Sequence, residues 1–445
     1  MNPKIKNVLF SASIVVGIAA NSSALFAATT AFPTLSSLGE SLFSDSNLSL
    51  SRTQSCSSCH NPEQGFIDTR DNGVSAAVSL GHDGLSLGNR NAPTISYASF
   101  APNFTGTNAN NASGGQFWDG RAGNLTTQAE GPPLNSIEMG MLSKADVVAR
   151  LQENSDYVAA LESFFGNTIF DNTEIAYTAM AESLAAFEQS DAISPFDSKF
   201  DRSLTGDYSM SNAEQQGMNL FFSNATNCTR CHSTAGRRGG RGEAVARGGR
   251  GGGARNNNRA NRQNLAANPN PQNRGLGGRT PTVIAGTEIF SNFRYFNNGT
   301  PSNTTLNAFL QSVGQQTEFL NTGDQGLFGN PLLNANDNSR GRFKVPTLRN
   351  IAVTAPYMHN GVFQNLNTVL AFYDHQGGNQ QRINNPETGS TWATPETAAT
   401  VDNRRLRMRS LSNTDIDNLE CFLRTLTDQK FEAKLPTLRD DLSCS

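Results

Sequence analysis

Two copies of one short pattern, Cys56-Ser-Ser-Cys59-His60 and Cys228-Thr-Arg-Cys231-His232, constrain this chain more than anything else in it. A bare CxxC pair serves a zinc half-site or a redox dithiol, but a histidine directly after it reads as covalent attachment of a c-type haem. The spacing has a physical cause. Two thiols one short turn apart can each bond a vinyl group of the same porphyrin, which leaves the adjacent imidazole under the iron as a fixed axial ligand. A faint echo precedes each motif, Gly39-Glu-Ser-Leu-Phe43 before the first and Gly217-Met-Asn-Leu-Phe221 before the second. Each echo reads as a leading helix, so the chain is expected to hold two covalent haem c groups in two related domains.

The N-terminus bears on the compartment. Lys4 and Lys6 precede an apolar stretch from Val8 to Ala20 and then small residues, the three-part layout of a secretory signal peptide. The alternative is a membrane anchor, but a run of about 13 apolar residues falls short of the ~20 that span a bilayer. Residues 1–27 are therefore expected to be removed, with the cut after Ala27 or Ala28, leaving a periplasmic protein with no membrane span. Export permits disulfides. Bridging the two remaining cysteines, Cys421 and Cys444, would close a loop of about 24 residues and add up to ~3 kcal/mol in the chain-entropy model. One buried thiol and one loose thiol near the terminus is the other reading, and both stay open.

With 445 residues the chain has room for two or three globular units at ~100 to 200 residues each. Helical patterns dominate. Ser211-Asn-Ala-Glu214 is a capping box, and Ser412-Asn-Thr-Asp415 a looser version ahead of Ile416, Leu419, Phe422, Leu423 and Leu426 at helical spacing. That run predicts a closing helix packed on the second haem domain. Ser143 to Asp146 opens a helix through Leu151, and Ala176, Met180, Leu184 and Phe187 mark another. The expected fold is mostly α with long loops: residues 28–200 as the N-terminal haem domain and 201–445 as the C-terminal one, packed across an interface. Residues 236–279 differ in kind, with ten arginines, one acid and almost nothing to bury. They are expected to be a disordered insertion. The whole chain carries a net charge of -3, which argues against nucleic-acid binding as its role.

Further motifs surround the haem sites. Arg90-Asn-Ala-Pro-Thr94 is followed by Gln116-Phe-Trp-Asp-Gly-Arg121, Gln128, Gly131-Pro132 and Asn135-Ser-Ile-Glu-Met139. Later come Phe343-Lys-Val-Pro-Thr-Leu-Arg-Asn-Ile351 and Thr354-Ala-Pro-Tyr-Met-His-Asn-Gly361. In this order, with the two CxxCH motifs, they closely resemble the bacterial di-haem cytochrome c peroxidase and MauG family. The resemblance spans most of the mature chain, apart from the basic insertion and loop material near 101–115, 320–340 and 376–400. It implies that His60 is the proximal ligand of a peroxide-binding haem and His232 that of an electron-transfer haem. Trp118 matches the tryptophan between the haems. Gln128, Pro132 and Glu138 match the distal pocket, with Glu138 as acid and base, while Asn91 and the carbonyls of Thr354 and Pro356 match the ligands of an inter-domain calcium. Oxygen-only ligation suits that hard cation.

The chemistry of Glu138 follows without the family. Heterolytic splitting of peroxide needs a proton moved from the inner to the outer oxygen, which a positioned carboxyl can do in two steps. Taken alone, a loop glutamate is a solvated surface residue and a tryptophan a buried core aromatic; only the pattern around them says otherwise. At the second haem, fourteen residues after His359, ordinary peroxidases of the family place a methionine ligand, and this chain has Tyr373, as MauG-type enzymes do. A phenolate is a hard anionic donor that favours oxidised iron. The alternatives are a core Tyr373 with His375 or Met408 as the ligand. His82, in Gly81-His-Asp-Gly84, matches the histidine that caps the first iron in many resting peroxidases of the family and that MauG-type enzymes lack; a surface-loop histidine is the other reading. Three functions follow. One is reduction of hydrogen peroxide with electrons from a periplasmic cytochrome c or cupredoxin. Another is MauG-like oxidation of residues in a partner protein, and the third a plain di-haem electron carrier. The oligomeric state, a homodimer included, is open.

Overall fold

The computed structural model describes residues 31–233, 288–315, 319–437 and 443–444. The leader at 1–27 and the basic insertion at 236–279 lie outside the described residues. In the first half, α1 (Leu35–Ser44) starts at a capping box between Thr34 and Ser37. Then come α2 (Leu125–Ala129), α3 (Lys144–Gln152), α4 (Ser155–Phe165) and α5 (Thr173–Glu188). Ser143 caps α3 through the backbone N–H of Asp146, as its sequence predicts. Their apolar faces meet in one core that includes Leu38, Leu42, Phe43, Leu151, Leu161, Met180 and Leu184.

The second half repeats the device. It contains α6 (Lys199–Thr205), α7 (Asn212–Phe222), α8 (Thr304–Ser312), α9 (Leu366–Gln376) and α10 (Asn413–Arg424). Both the Ser211/Glu214 and the Ser412/Asp415 boxes form. A second core gathers Phe200, Phe221, Phe290, Phe363, Phe372 and Phe422. The sequence echo now has a cause. A Cβ on Gly39 of α1 would sit 1.9 Å from the carbonyl oxygen of Ser183 on α5, and one on Gly217 of α7 would sit 1.8 Å from that of Asn418 on α10. In each half, glycine lets the leading helix touch the backbone of a later one.

The sole sheet among the described residues is an antiparallel pair, β1 (Tyr295–Phe296) and β2 (Phe343–Lys344), with Tyr295 opposite Lys344. Helix α10 stops at Arg424, so Leu426 lies just past it; it is nonetheless fully buried. The chain beyond returns to the first half, where Phe431 packs edge-on to Phe66. Asp428 accepts from Tyr97 and from Asn350. Arg349 is wholly buried, paired with Asp201 and enclosed by the rings of Tyr97, Phe196 and Phe290. Cys421 and Cys444 form a disulfide, with 5.4 Å between their Cα atoms, which fastens the chain end to α10.

Candidate di-haem active site

Two cavities open in this frame, and each contains one CxxCH motif. The first, about 530 Å³, is lined by Cys56, Cys59 and His60; the second, about 300 Å³, by Cys228, Cys231 and His232. In both motifs the histidine N–H donates to the carbonyl of the first cysteine at 2.9 Å, so the same tight turn presents the imidazole. His60 Nδ1 lies 3.2 Å from the Phe66 carbonyl and His232 Nδ1 2.9 Å from that of Phe290. A ring nitrogen engaged in this way orients the imidazole and reserves Nε2 for a metal. Burial lowers both pKa values, that of His232 to about 4, which keeps the rings in the neutral, ligating form. The thiols are pushed the other way by burial, Cys56 and Cys231 to about 12 and Cys59 to about 11. No group of three or more His, Cys, Asp or Glu side chains placed to hold a metal ion occurs among the described residues. The donor set therefore fits haem c.

The first cavity has the acid that the sequence predicts. Gln128 on α2, Pro132 at the start of the following turn, and Glu138 all line it. Burial raises the Glu138 pKa, opposed by Arg121 and by a hydrogen bond from Asn135. Arg121 is itself held over the Phe117 ring at 3.7 Å and paired with Asp119 at 3.0 Å. His82 is close by in the chain path, since its N–H donates to the Glu138 carbonyl at 2.8 Å. Its ring lies outside the cavity lining, 2.9 Å from Ser51 Oγ and packed on Gly140. Sequence reasoning missed Glu188, the last residue of α5, which lines the cavity and is 6% exposed. Burial pushes its pKa up to about 8. The available signal was an acid at the end of the apolar face carrying Leu184 and Phe187.

Trp118 lines both cavities. Its Nε1 donates to the Asn91 carbonyl at 2.8 Å, its own carbonyl accepts from Lys344 N–H at 2.8 Å, and Asn91 N–H donates to the His359 carbonyl at 2.8 Å. Asn91, Thr354 and Pro356 share the wall of the second cavity. Tyr373 projects from α9 into that cavity, where its hydroxyl accepts from Asn298 Nδ2 at 3.0 Å and burial raises its pKa to about 12. Met408 lines the cavity as well. His375 does not: it stacks on Trp392, and its Nδ1 has no hydrogen-bond partner.

Comparison with known proteins agrees with this geometry. The family model for di-haem cytochrome c peroxidase matches residues 33–209. The methylamine utilization protein MauG of Paracoccus denitrificans is 37% identical over 407 residues, covering 91% of this chain and 91% of MauG. The chain belongs to the di-haem cytochrome c peroxidase and MauG family. Cytochrome c551 peroxidase of Pseudomonas aeruginosa is also similar, at 35% identity over 44% of this chain and 49% of that protein. Among solved structures, the diheme peroxidase BthA of Burkholderia thailandensis superposes with a TM-score of 0.69 at 26% identity, covering 92% of this chain and 90% of that one. As a member of this family the chain is a peroxidase-type oxidoreductase, and its fold is mostly α. No helix among the described residues is long and apolar enough to cross a membrane.

Proposed function

We propose that this chain is an exported, periplasmic di-haem peroxidase in which hydrogen peroxide is reduced in the first cavity and electrons arrive through the second. The observation that carries this reading is the asymmetry of the two cavities. The first is lined by Glu138, whose raised pKa makes it protonatable, together with Gln128; the second has the Tyr373 hydroxyl. Cys56 and Cys59 would hold one haem with His60 beneath it, and Cys228, Cys231 and His232 the other, with residues 28–200 and 201–445 as the two haem domains. Bound haem supplies iron that changes oxidation state and takes up the oxidising equivalents of peroxide.

The protein's part is proton transfer, orientation and spacing. Glu138 as carboxylate takes the proton from one peroxide oxygen and returns it to the other, so that water leaves. Gln128 can hold the peroxide by hydrogen bonds, and Pro132 fills the wall without adding a competing donor. Trp118, shared by both walls, is the proposed electron link between the sites. Asn91 and the Thr354 and Pro356 carbonyls supply oxygen donors for a calcium ion at that link. Tyr373 Oη is the proposed ligand of the second haem, with Met408 the remaining alternative in the cavity wall, and His82 is the residue whose loop would bring a cap to the first.

A second reading, MauG-like oxidation of residues in a partner protein, is favoured by Tyr373 and by identity to MauG along nearly the whole chain. A plain electron carrier gives Glu138 no role. Steady-state peroxide turnover, measured with a reduced small cytochrome c, with a cupredoxin and with candidate partner proteins, separates the two enzyme readings. Fast oxidation of the small donors supports the first. Turnover only with a protein whose residues become oxidised supports the second, and no turnover with any of them overturns both.

A further inference from the structure

Lys344 has a charge that the machinery above does not use. It ends β2 and lines the second cavity. Nζ donates to the Gly115 carbonyl at 2.6 Å, and the lysine forms no ion pair among the described residues. Asp119 is the carboxylate whose charge reaches it, but Asp119 already receives bonds from Arg90 and Arg121. Burial depresses the Lys344 pKa to about 8. An ammonium has three donors, of which one is used here. Lys344 is half-buried at the cavity wall, and a cation drawn out of water with no anion paired to it favours a negatively charged partner that enters the cavity.

The chemistry of the cavity says which anion fits. Thioether bonds to Cys228 and Cys231 fix the vinyl edge of a porphyrin, and its two carboxylate side chains then lie on the opposite edge. The charged side chains that act most strongly on Cys231 are Arg405 and Asp402, followed by Arg230, rather than Lys344. Lys344 instead hydrogen-bonds through its backbone to Trp118, on the wall shared with the first cavity. Arg405, the other cation in the lining, is exposed and sits at the cysteine edge. We propose that Lys344 is the anchor for a propionate carboxylate of the second haem, and that this ion pair holds the potential of that haem up. The inference rests on the reading of this cavity as a haem c site.

The sign follows from charge. A cation near the porphyrin stabilises the reduced state, which has one more electron, so removing it favours the oxidised state. In the holoenzyme, Lys344→Gln should lower the reduction potential of the second haem more than that of the first in a spectroelectrochemical titration, and Lys344→Arg should keep it near the wild-type value. Resonance Raman spectra of the wild-type protein should place a propionate bending mode of the second haem at the position of an ion-paired carboxylate. An unchanged potential in a Lys344→Gln protein that carries both haems overturns the inference. So does a solvated-carboxylate frequency in the wild type, a result that requires no variant to fold. A wild-type mass showing fewer than two haems would instead overturn the haem reading of the cavity.

Discussion

Glu138 is a carboxylate whose surroundings oppose its charge. Because burial raises its pKa and the proposed first step needs its basic form, peroxide turnover should fall as pH drops through a value above the ordinary glutamate range. Glu138→Gln should keep both haems, remove that acid limb and slow turnover by ~100- to 10,000-fold, the usual worth of a positioned acid or base. A wild-type rate in stopped flow would remove Glu138 from the mechanism. Glu188 makes the opposite kind of prediction, one about stability. Its folded pKa of about 8 lies above the 4.5 of a free glutamate, so its contribution is complete below the lower value and is lost as pH rises through the upper one. Denaturant unfolding at acid and alkaline pH should show that loss, and Glu188→Gln should flatten it; an equal slope in the variant would clear Glu188 of any part. For Tyr373, burial raises the phenol to about 12, so a phenolate persists there only beside a strong positive charge, such as ferric iron. Tyr373→Met replaces an anionic oxygen by neutral sulfur and should raise the potential of the second haem. Oxidation of a partner protein should then fall more than simple peroxide reduction. A methionine-to-iron charge-transfer band in the native protein would point to Met408 instead.

At the level of elements, the two close helix crossings are where a single methyl group matters. Glycine to alanine in an exposed helix interior ordinarily stabilises by ~1 kcal/mol. At Gly217 the added carbon would meet the Asn418 carbonyl at 1.8 Å, so α7 and α10 must separate, and overpacking of this kind costs about 1–3 kcal/mol. Leu419 and Leu423 of α10 line the second cavity, and Leu184 of α5 lines the first. Gly217→Ala should therefore lower the melting temperature and perturb the second haem's absorption spectrum, while Gly39→Ala should do the same to the first. Alanine variants as stable as the parent, with both spectra intact, would show that the crossings are looser than described.

Across the whole molecule, links between the halves gather around the wall shared by the cavities. Arg90 joins Asp119 to Asp324, Asn91 bonds to His359, and Tyr97 bonds to Asp428. A calcium ion held by Asn91, Thr354 and Pro356 would reinforce this same seam. Chelation should lower activity reversibly, with recovery on adding calcium, because the proposed electron transfer between the haems would need a fixed path through Trp118. Full activity in thoroughly metal-depleted enzyme would dismiss the ion.

Local chemistry was legible in the sequence because it depends on neighbours in the chain. The CxxCH turns, the capping boxes at Ser211 and Ser412, and the helices carrying Met180 and Phe422 all follow from spacing over a few residues. The order of motifs around Glu138, Trp118 and Tyr373 pointed to the family for the same reason. What depends on partners far along the chain was decided only in three dimensions. The Gly39 and Gly217 echo read as a leading helix, but why each helix carries a glycine became evident only when Ser183 and Asn418 arrived opposite it. The Cys421 to Cys444 bridge stood open because pairing is a matter of distance between chain segments. Lys344 and Glu188 look like ordinary surface charges on a sequence pattern. Only the folded chain places Lys344 beside Trp118 on the wall of the second cavity and buries Glu188 on the wall of the first, and withdrawal from water is what turns a charge into a binding or titrating group.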